Sequence, residues 1–305
     1  MTDETKRHHG LNMHRNPMIA RNDMEGGPPE QSQEWPGQDR KLHPQADHGE
    51  ESYEGGGKLV GLKALITGGD SGIGRATAIA FAREGADVAI GYFDEHADAD
   101  ETLSWIEKAG QKGLKISADV REEGECRRMV REAVEGLGGL NILVNNAAFH
   151  IESTKFEDIP AERLMNTFQT NFYGYFWTAQ EAAKHLGEGD VVINTTSVVA
   201  MMPYYHLIDY AATKAAILNF TSSLADSFAE RGIRANAVAP GPVWTPLIAA
   251  TRDEEFVGKF GANTYWKRPA QPAELAPAFV FLASTDSRFM TGEVLTLSGF
   301  PTTSR

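Results

Sequence analysis

Tyr210 and Lys214 stand four residues apart in the alanine-rich run Asp209-Tyr210-Ala211-Ala212-Thr213-Lys214-Ala215-Ala216. Such a run favours helix, which puts both side chains on one face. A free tyrosine titrates near ~10, and a cation within ~4–6 Å favours its phenolate. Lys214 is therefore expected to make Tyr210 an acid or base that works near neutral pH. Ser197 closes the run Asp190-Val191-Val192-Ile193-Asn194-Thr195-Thr196-Ser197, which predicts a buried strand carrying a hydroxyl at its C-terminal tip. Open α/β sheets put their chemistry at those tips. There the hydroxyl would hold a substrate oxygen while the phenol exchanges a proton with it. A tyrosine and a lysine at this spacing also arise by chance, so the surrounding elements must decide.

The first of those elements is a turn. Leu62-Lys63-Ala64-Leu65-Ile66-Thr67 reads as a short strand, Gly68-Gly69-Asp70-Ser71-Gly72-Ile73-Gly74 follows, and a helix runs from Arg75 to Arg83. Gly68 permits the tight turn, Gly72 lets a pyrophosphate approach the backbone, and Gly74 lets helix and strand pack closely. The N–H groups at the helix start suit anionic oxygens. A merely structural turn is the alternative; a second strand at Asp87 to Gly91 favours the dinucleotide reading.

The alternation then continues. Helices are predicted at Ala97–Ala109, Glu122–Gly136, Ala161–Leu186, Tyr210–Arg231 and Ala273–Ala283, and strands at Leu114–Ala118, Leu140–Asn145, Val191–Thr195, Arg234–Val238 and Val294–Leu297. Strand and helix in turn give an α/β protein: one Rossmann-type, doubly wound parallel sheet of seven strands with helices on both faces, spanning residues 58–305.

Residues 1–57 differ in texture, being polar, rich in Gly, Pro and His, and ending in Gly55-Gly56-Gly57. They are expected to form a flexible arm, because so little apolar surface does not offset the entropy of ordering. Trp35-Pro36-Gly37 and Tyr53 are exceptions suited to docking on a neighbouring surface or subunit. His8, His9, His14, His43 and His48 are spaced too irregularly for a metal site and read as polar filler. The formal charge of -13 disfavours nucleic acid and anionic membranes as partners and leaves a small molecule. The single cysteine, Cys126, excludes an internal disulfide or a thiolate metal cluster and reads as a packing residue. No metal is expected, no apolar run reaches the ~20 residues of a membrane span, and a cytoplasmic location is expected.

Taken in order, Thr67-Gly68, Gly72-Ile73-Gly74, Asn145-Asn146-Ala147-Ala148, Asn171, Ser197, Tyr210 with Lys214, and Pro240-Gly241 resemble the short-chain dehydrogenase/reductase family over about residues 58–299. The arm, the Gly69-Asp70-Ser71 filling and Gly241-Pro242-Val243-Trp244-Thr245-Pro246 further resemble its glucose/ribitol dehydrogenase-like or aldehyde reductase-like members. The resemblance implies an oxidoreductase moving hydride between a nicotinamide cofactor and an alcohol or carbonyl substrate in the sugar, polyol or small aldehyde range, and a homotetramer. It implies that Tyr210 is the acid/base, that Ser197 holds the substrate oxygen, that Lys214 also bonds the nicotinamide ribose, and that Asn171 anchors a water relaying protons to the lysine. A helix-kinking core amide is the other reading of Asn171. For the cofactor it implies contacts from Gly68, Asp70, Ser71, Gly72, Ile73, Gly74, Tyr92, Phe93, Asp119, Val120, Asn146, Ala147, Ala148, Tyr210, Lys214, Pro240, Gly241, Val243 and Thr245. Asp119 would meet the adenine edge; as a helix N-cap it would serve structure instead. Ala148 replaces the family's usual glycine.

At the tip of the second strand, Tyr92 stands where NAD-preferring members carry aspartate and Phe93 where many NADP-preferring members carry arginine. A 2′-phosphate there would find no basic residue and would face Asp94 and Glu95, so the expectation leans to NAD over NADP. The substrate is expected against Val198–Leu207 and under Trp244–Trp266, with Met201, Met202, Pro203, Tyr204, Tyr205, Phe256 and Phe260 as bulk and His206 as an exposed loop residue. Two rivals remain: a nucleotide-binding sensor or scaffold without turnover, and an epimerase or dehydratase of the same fold. Chains of the second kind usually carry a different glycine spacing and a larger C-terminal substrate domain.

Overall fold

Seven parallel strands hydrogen-bond in the order β3-β2-β1-β4-β5-β6-β7: β1 Lys63–Thr67, β2 Asp87–Tyr92, β3 Gly113–Ser117, β4 Ile142–Asn145, β5 Val191–Thr195, β6 Arg234–Pro240 and β7 Val294–Leu297. The computed structural model describes residues 24–202 and 204–301; His8, His9, His14 and Pro203 lie outside them. The chain winds outward from β1 through β2 to β3, then returns to lay β4 on the free side of β1. That reversal opens a crevice above the carboxyl ends of β1 and β4, where ligands bind in open sheets.

Nine helices are described: α1 Gly72–Arg83, α2 His96–Lys108, α3 Glu123–Leu137, α4 Ala161–Phe168, α5 Gly174–Ala182, α6 Ile208–Phe228, α7 Pro246–Thr251, α8 Glu254–Gly258 and α9 Pro272–Ala283. One core layer joins α1 and α9 to the sheet through Ile66, Phe81, Ile90 and Phe279. The opposite layer joins α3, α5 and α6 through Leu65, Met129, Val192 and Phe228.

The helix predicted over 161–186 is broken. Between α4 and α5 the chain makes a π turn at Gln169–Tyr173. Its cause is tertiary: buried Asn171 leaves the helical register so that Nδ2 donates to Phe149 O at 2.8 Å and Thr213 Oγ1 at 3.1 Å, while Oδ1 accepts from Phe149 N at 2.7 Å. Single-turn π insertions of this kind gather at functional sites.

The polar arm packs on the domain from Met24 onward instead of standing in solvent. Met24 and Leu42 bury against Trp244 and Val257, and the Trp244 indole donates to Pro44 O at 2.8 Å. Tyr53 is also buried and donates to Glu84 at 2.6 Å. His48, expected as filler, is buried in an ion pair with Asp39 at 3.1 Å. Trp35 and Tyr53 therefore dock on their own chain. Cys126 is buried and its thiol, pushed up to about 11 by burial, donates to Val120 O.

Candidate active site and dinucleotide crevice

One crevice gathers the residues that the sequence scatters over 225 positions, from Trp35 and the glycine turn to Thr245 and Phe260. Its floor is the turn after β1. Gly68 has φ +62° and Gly72 φ +49°, and a Cβ at Gly74 would lie 1.8 Å from Gly68 O, so only glycine fits there. The Thr67 hydroxyl accepts from Asn146 N at 2.9 Å and Ala147 N at 3.2 Å, and Asn146 Nδ2 donates to Gly68 O at 3.1 Å. These bonds tie the tips of β1 and β4 into one rigid floor. Asp70, Ser71, Ile73, Tyr92, Phe93, Asp119, Val120, Ala147, Ala148, Pro240, Gly241, Val243 and Thr245 line the same crevice, as the sequence leads one to expect.

At one end of the crevice stand Ser197, Tyr210 and Lys214. Ser197 follows β5 and Tyr210 lies in the first turn of α6, one turn before Lys214. Lys214 is fully buried, donates from Nζ to Thr195 O at 2.8 Å, and its Nζ is 5.4 Å from the Tyr210 ring centre. Burial holds the Lys214 ammonium down to about 7. Burial raises Tyr210 to about 12, against the opposing pull of the Ser197 hydroxyl and the Arg252 charge. The expected depression of the phenol by the lysine is thus outweighed by burial. Loss of water disfavours both charged forms, and a lysine titrating near 7 carries its charge only part of the time.

Four other residues of the sequence reading have partners that the sequence does not show. Asn171 lies behind the crevice, and both of its amide protons are taken by Phe149 and Thr213. The Asp119 carboxylate, at the crevice wall, is held by Arg121, at 2.9 and 3.0 Å from Nε and 2.5 Å from Nη2. Trp244 is wholly buried under the arm and walls no substrate pocket. His206 is not a free loop residue, since its Nδ1 is 3.0 Å from Glu152 Oε1. Of the expected substrate wall, Phe260 lines the crevice, joined by Leu247 and Ile248 of α7.

Sequence reasoning passed over His150 and Arg121, which line the crevice together with Glu95, expected there only as a repelling charge, and Trp35, expected to dock on a neighbouring surface. His150 is buried, 5.1 Å from the Tyr210 ring and nearly edge-on to it. The Thr251 hydroxyl donates to Leu247 O at 2.5 Å, so its oxygen accepts the Nδ1 proton of His150 at 3.2 Å. That bond assigns the lone pair to Nε2. Burial, then the charges of Arg252, Lys214 and Arg163, hold the imidazole neutral. Glu95 has a buried Oε1 without a partner. Burial, then the nearby Asp70 carboxylate, pushes its pKa up, and burial raises Asp70 as well. A signal was available at His150, five residues past the end of β4.

A glycine-floored crevice at the switch point of a doubly wound sheet, with a serine, tyrosine and lysine at one end, defines a dinucleotide-dependent oxidoreductase. The chain belongs to the short-chain dehydrogenase/reductase family: a family model described as enoyl-(acyl carrier protein) reductase matches residues 68–299. It is 44% identical to glucose and ribitol dehydrogenase of Daucus carota over 89% of this chain and 96% of that one. It is likewise 44% identical to NADPH-dependent aldehyde reductase 1 of Arabidopsis thaliana, over 87% of this chain and 94% of that protein. A Burkholderia cenocepacia short-chain dehydrogenase solved with NADP superimposes with a TM-score of 0.75 at 32% identity, covering 79% of this chain and 98% of that structure. The chain is accordingly an NAD(P)-dependent oxidoreductase, and the scaffold alternative gains no support from these relatives.

Proposed function

We propose that the chain interconverts an alcohol with its aldehyde or ketone, on substrates in the sugar, polyol or small aldehyde range. The convergence of Ser197, Tyr210 and Lys214 on the glycine-floored crevice carries this reading. A bound nicotinamide supplies or accepts hydride. Ser197 holds the substrate oxygen, and Tyr210 Oη gives that oxygen its proton in reduction and takes it back in oxidation. With its pKa near 12 the phenol is protonated at neutral pH, the form that reduction consumes. Lys214 binds the nicotinamide side of the cofactor. Asn171 positions the Phe149 strand end and α6 against one another. His150 Nε2 accepts a bond from a hydroxyl near the reacting carbon, which suits polyhydroxylated substrates.

For the cofactor the chain's own residues lean to NAD. Burial raises Glu95 to about 8, with the neighbouring Asp70 carboxylate adding to it, and burial raises Asp70 to about 6. A 2′-phosphate would stand against the Asp70 carboxylate and beside a Glu95 that already resists ionising, and the guanidinium lining that tip, Arg121, is bound to Asp119. The Arabidopsis relative is named NADPH-dependent and the Burkholderia structure holds NADP, so the proposed preference is particular to this crevice. The exposed Leu164, Met165, Tyr173 and Phe176 of α4, the π turn and α5 support assembly into a homotetramer. A single, buried cysteine suits the reducing cytoplasm; no helix among the described residues is long and apolar enough to cross a membrane.

The test is a panel of sugars, polyols, aldehydes and an enoyl thioester with each of the four cofactor forms. Tyr210→Phe is expected to lower kcat about 10²–10⁴-fold while cofactor affinity stays within about twofold. Surviving turnover in that variant would remove Tyr210 as the acid, and a large preference for NADP would refute the NAD lean.

A further inference from the structure

The polar arm does more than pad the domain. Trp35 packs 6.0 Å from Phe93 and 5.5 Å from Phe149, edge-on to the latter. Phe93 follows β2 and Phe149 follows β4, and the strand lying between those two in the sheet is β1. Trp35 therefore stands above the tip of β1, over the Gly68 turn, and all of Trp35-Pro36-Gly37 lines the crevice. Two residues on, Gly37 at φ +84° passes so near α7 that a Cβ would lie 2.9 Å from Pro246 O. Gln33 N also donates to Ala249 O at 2.9 Å. Two residues further, buried Asp39 accepts from Gly72 N at 2.8 Å, in the first turn of α1. Residues 33–39 thus cross from the β6 wall to the β1 floor and touch the tips of β2 and β4 on the way.

Resting on the function proposed above, we propose that residues 33–39 roof the dinucleotide, and that Trp35 is a cofactor-contact residue contributed from outside the Rossmann unit. The placement accounts for an otherwise odd choice, a large aromatic left 42% exposed on a polar strap. One ring face meets solvent while the other closes the crevice. It also accounts for the charges behind it. An acidic residue at the start of the phosphate-facing helix would repel a pyrophosphate, but Asp39 is neutralised by His48 at 3.1 Å and Arg75 at 3.8 Å. The strap is anchored by an anion that leaves little net charge at the helix terminus. A dinucleotide beneath it can leave only when the strap lifts, so Trp35 governs release more than capture.

The experiment uses the full chain and NADH. Trp35→Ala is expected to raise both the equilibrium Kd and the stopped-flow release rate about tenfold, or ~1.4 kcal/mol, with the association rate nearly unchanged. Trp35→Phe, which keeps a ring there, recovers most of both. In the wild type, NADH should slow amide exchange across residues 33–41. Values for Trp35→Ala within about twofold of wild type, or exchange in 33–41 indifferent to NADH, would overturn the proposal. A wild-type chain that binds NADPH but not NADH would instead refute the NAD lean, and the same variants would then be read with NADPH; one that binds neither would sink the oxidoreductase reading itself.

Discussion

Replacing His48 by Gln tests whether the arm is held by charge. His48 is almost wholly buried, with Nε2 3.1 Å from Asp39 Oδ2 and Nδ1 3.0 Å from Glu50 Oε1. Burial by itself would lower its pKa; the Asp39 carboxylate and the Glu50 hydrogen bond outweigh that and lift it from 6.5 to about 9. A pKa raised on folding contributes stability that is complete below the unfolded value and is lost as pH rises through the folded one. The docked arm should therefore be firmest below about pH 6.5 and loosen towards pH 9 and above. At ~1.4 kcal/mol per pH unit, the two values give about 3 kcal/mol of docking free energy. That is enough to move the open fraction of the arm by roughly a hundredfold. Lys214 and Glu95 titrate in the same range, so a melting temperature would mix their effects with this one. Amide exchange within residues 38–53, read as protection factors between pH 6 and 10, isolates the arm. The wild type should lose about two decades of protection over that range. His48→Gln should start low and stay flat, and a double-mutant cycle with Asp39→Asn should return a coupling of about 2–3 kcal/mol. A flat wild-type profile, or a coupling under about 0.5 kcal/mol, would refute the reasoning.

Burial leaves Lys214 mostly neutral above about pH 7; an anionic dinucleotide beside it would restore the charge, so binding at pH 8 should take up a proton. Calorimetry in two buffers of different ionisation heat would show this, and zero uptake would contradict it. Glu95→Lys replaces an acid that holds its proton with a cation and should raise kcat/KM for NADP relative to NAD by about tenfold or more; an unchanged ratio would remove Glu95 from cofactor selection. His150→Phe keeps the ring against Tyr210 but loses the Nε2 lone pair, so KM should rise about tenfold for polyhydroxylated substrates and little for simple aldehydes. An equal effect on both classes would make His150 a packing residue only.

The parts of this fold that the sequence discloses are those fixed by local rules. Strand, glycine turn and helix at 62–83 follow from period and from the backbone freedom of Gly68 and Gly72. The alternation fixes the parallel sheet, and Ser197, Tyr210 and Lys214 are found because sheet chemistry belongs at strand tips. The π turn at Asn171 is hidden because helix-forming runs flank it at 161–165 and 179–184; what breaks the helix is the reach of one amide to Phe149 and Thr213, 22 and 42 residues away. The start of α7 is signalled by Thr245 followed by Pro246, a residue type common at helix starts and a proline in the first turn.

The arm shows why composition misleads where polar groups do the packing. Low apolar content argues disorder only if apolar burial is the sole source of order. Here Met24, Leu42 and Tyr53 supply isolated anchors without any period. The rest of the order comes from buried and part-buried donors and acceptors meeting partners far along the chain: Asp39 with Gly72, Asp47 N with Gln271 at 2.8 Å, and Gly56 N with Glu84 at 2.8 Å. Each such bond gains most where water is excluded, and water is excluded because the neighbouring bonds hold the strap down. An arm held this way is cooperative, sensitive to the charge of one imidazole, and placed over the crevice that holds the chemistry. Its docking and the cofactor's residence are therefore two readings of a single equilibrium, and conditions that deprotonate His48 should speed dinucleotide release as they loosen the arm.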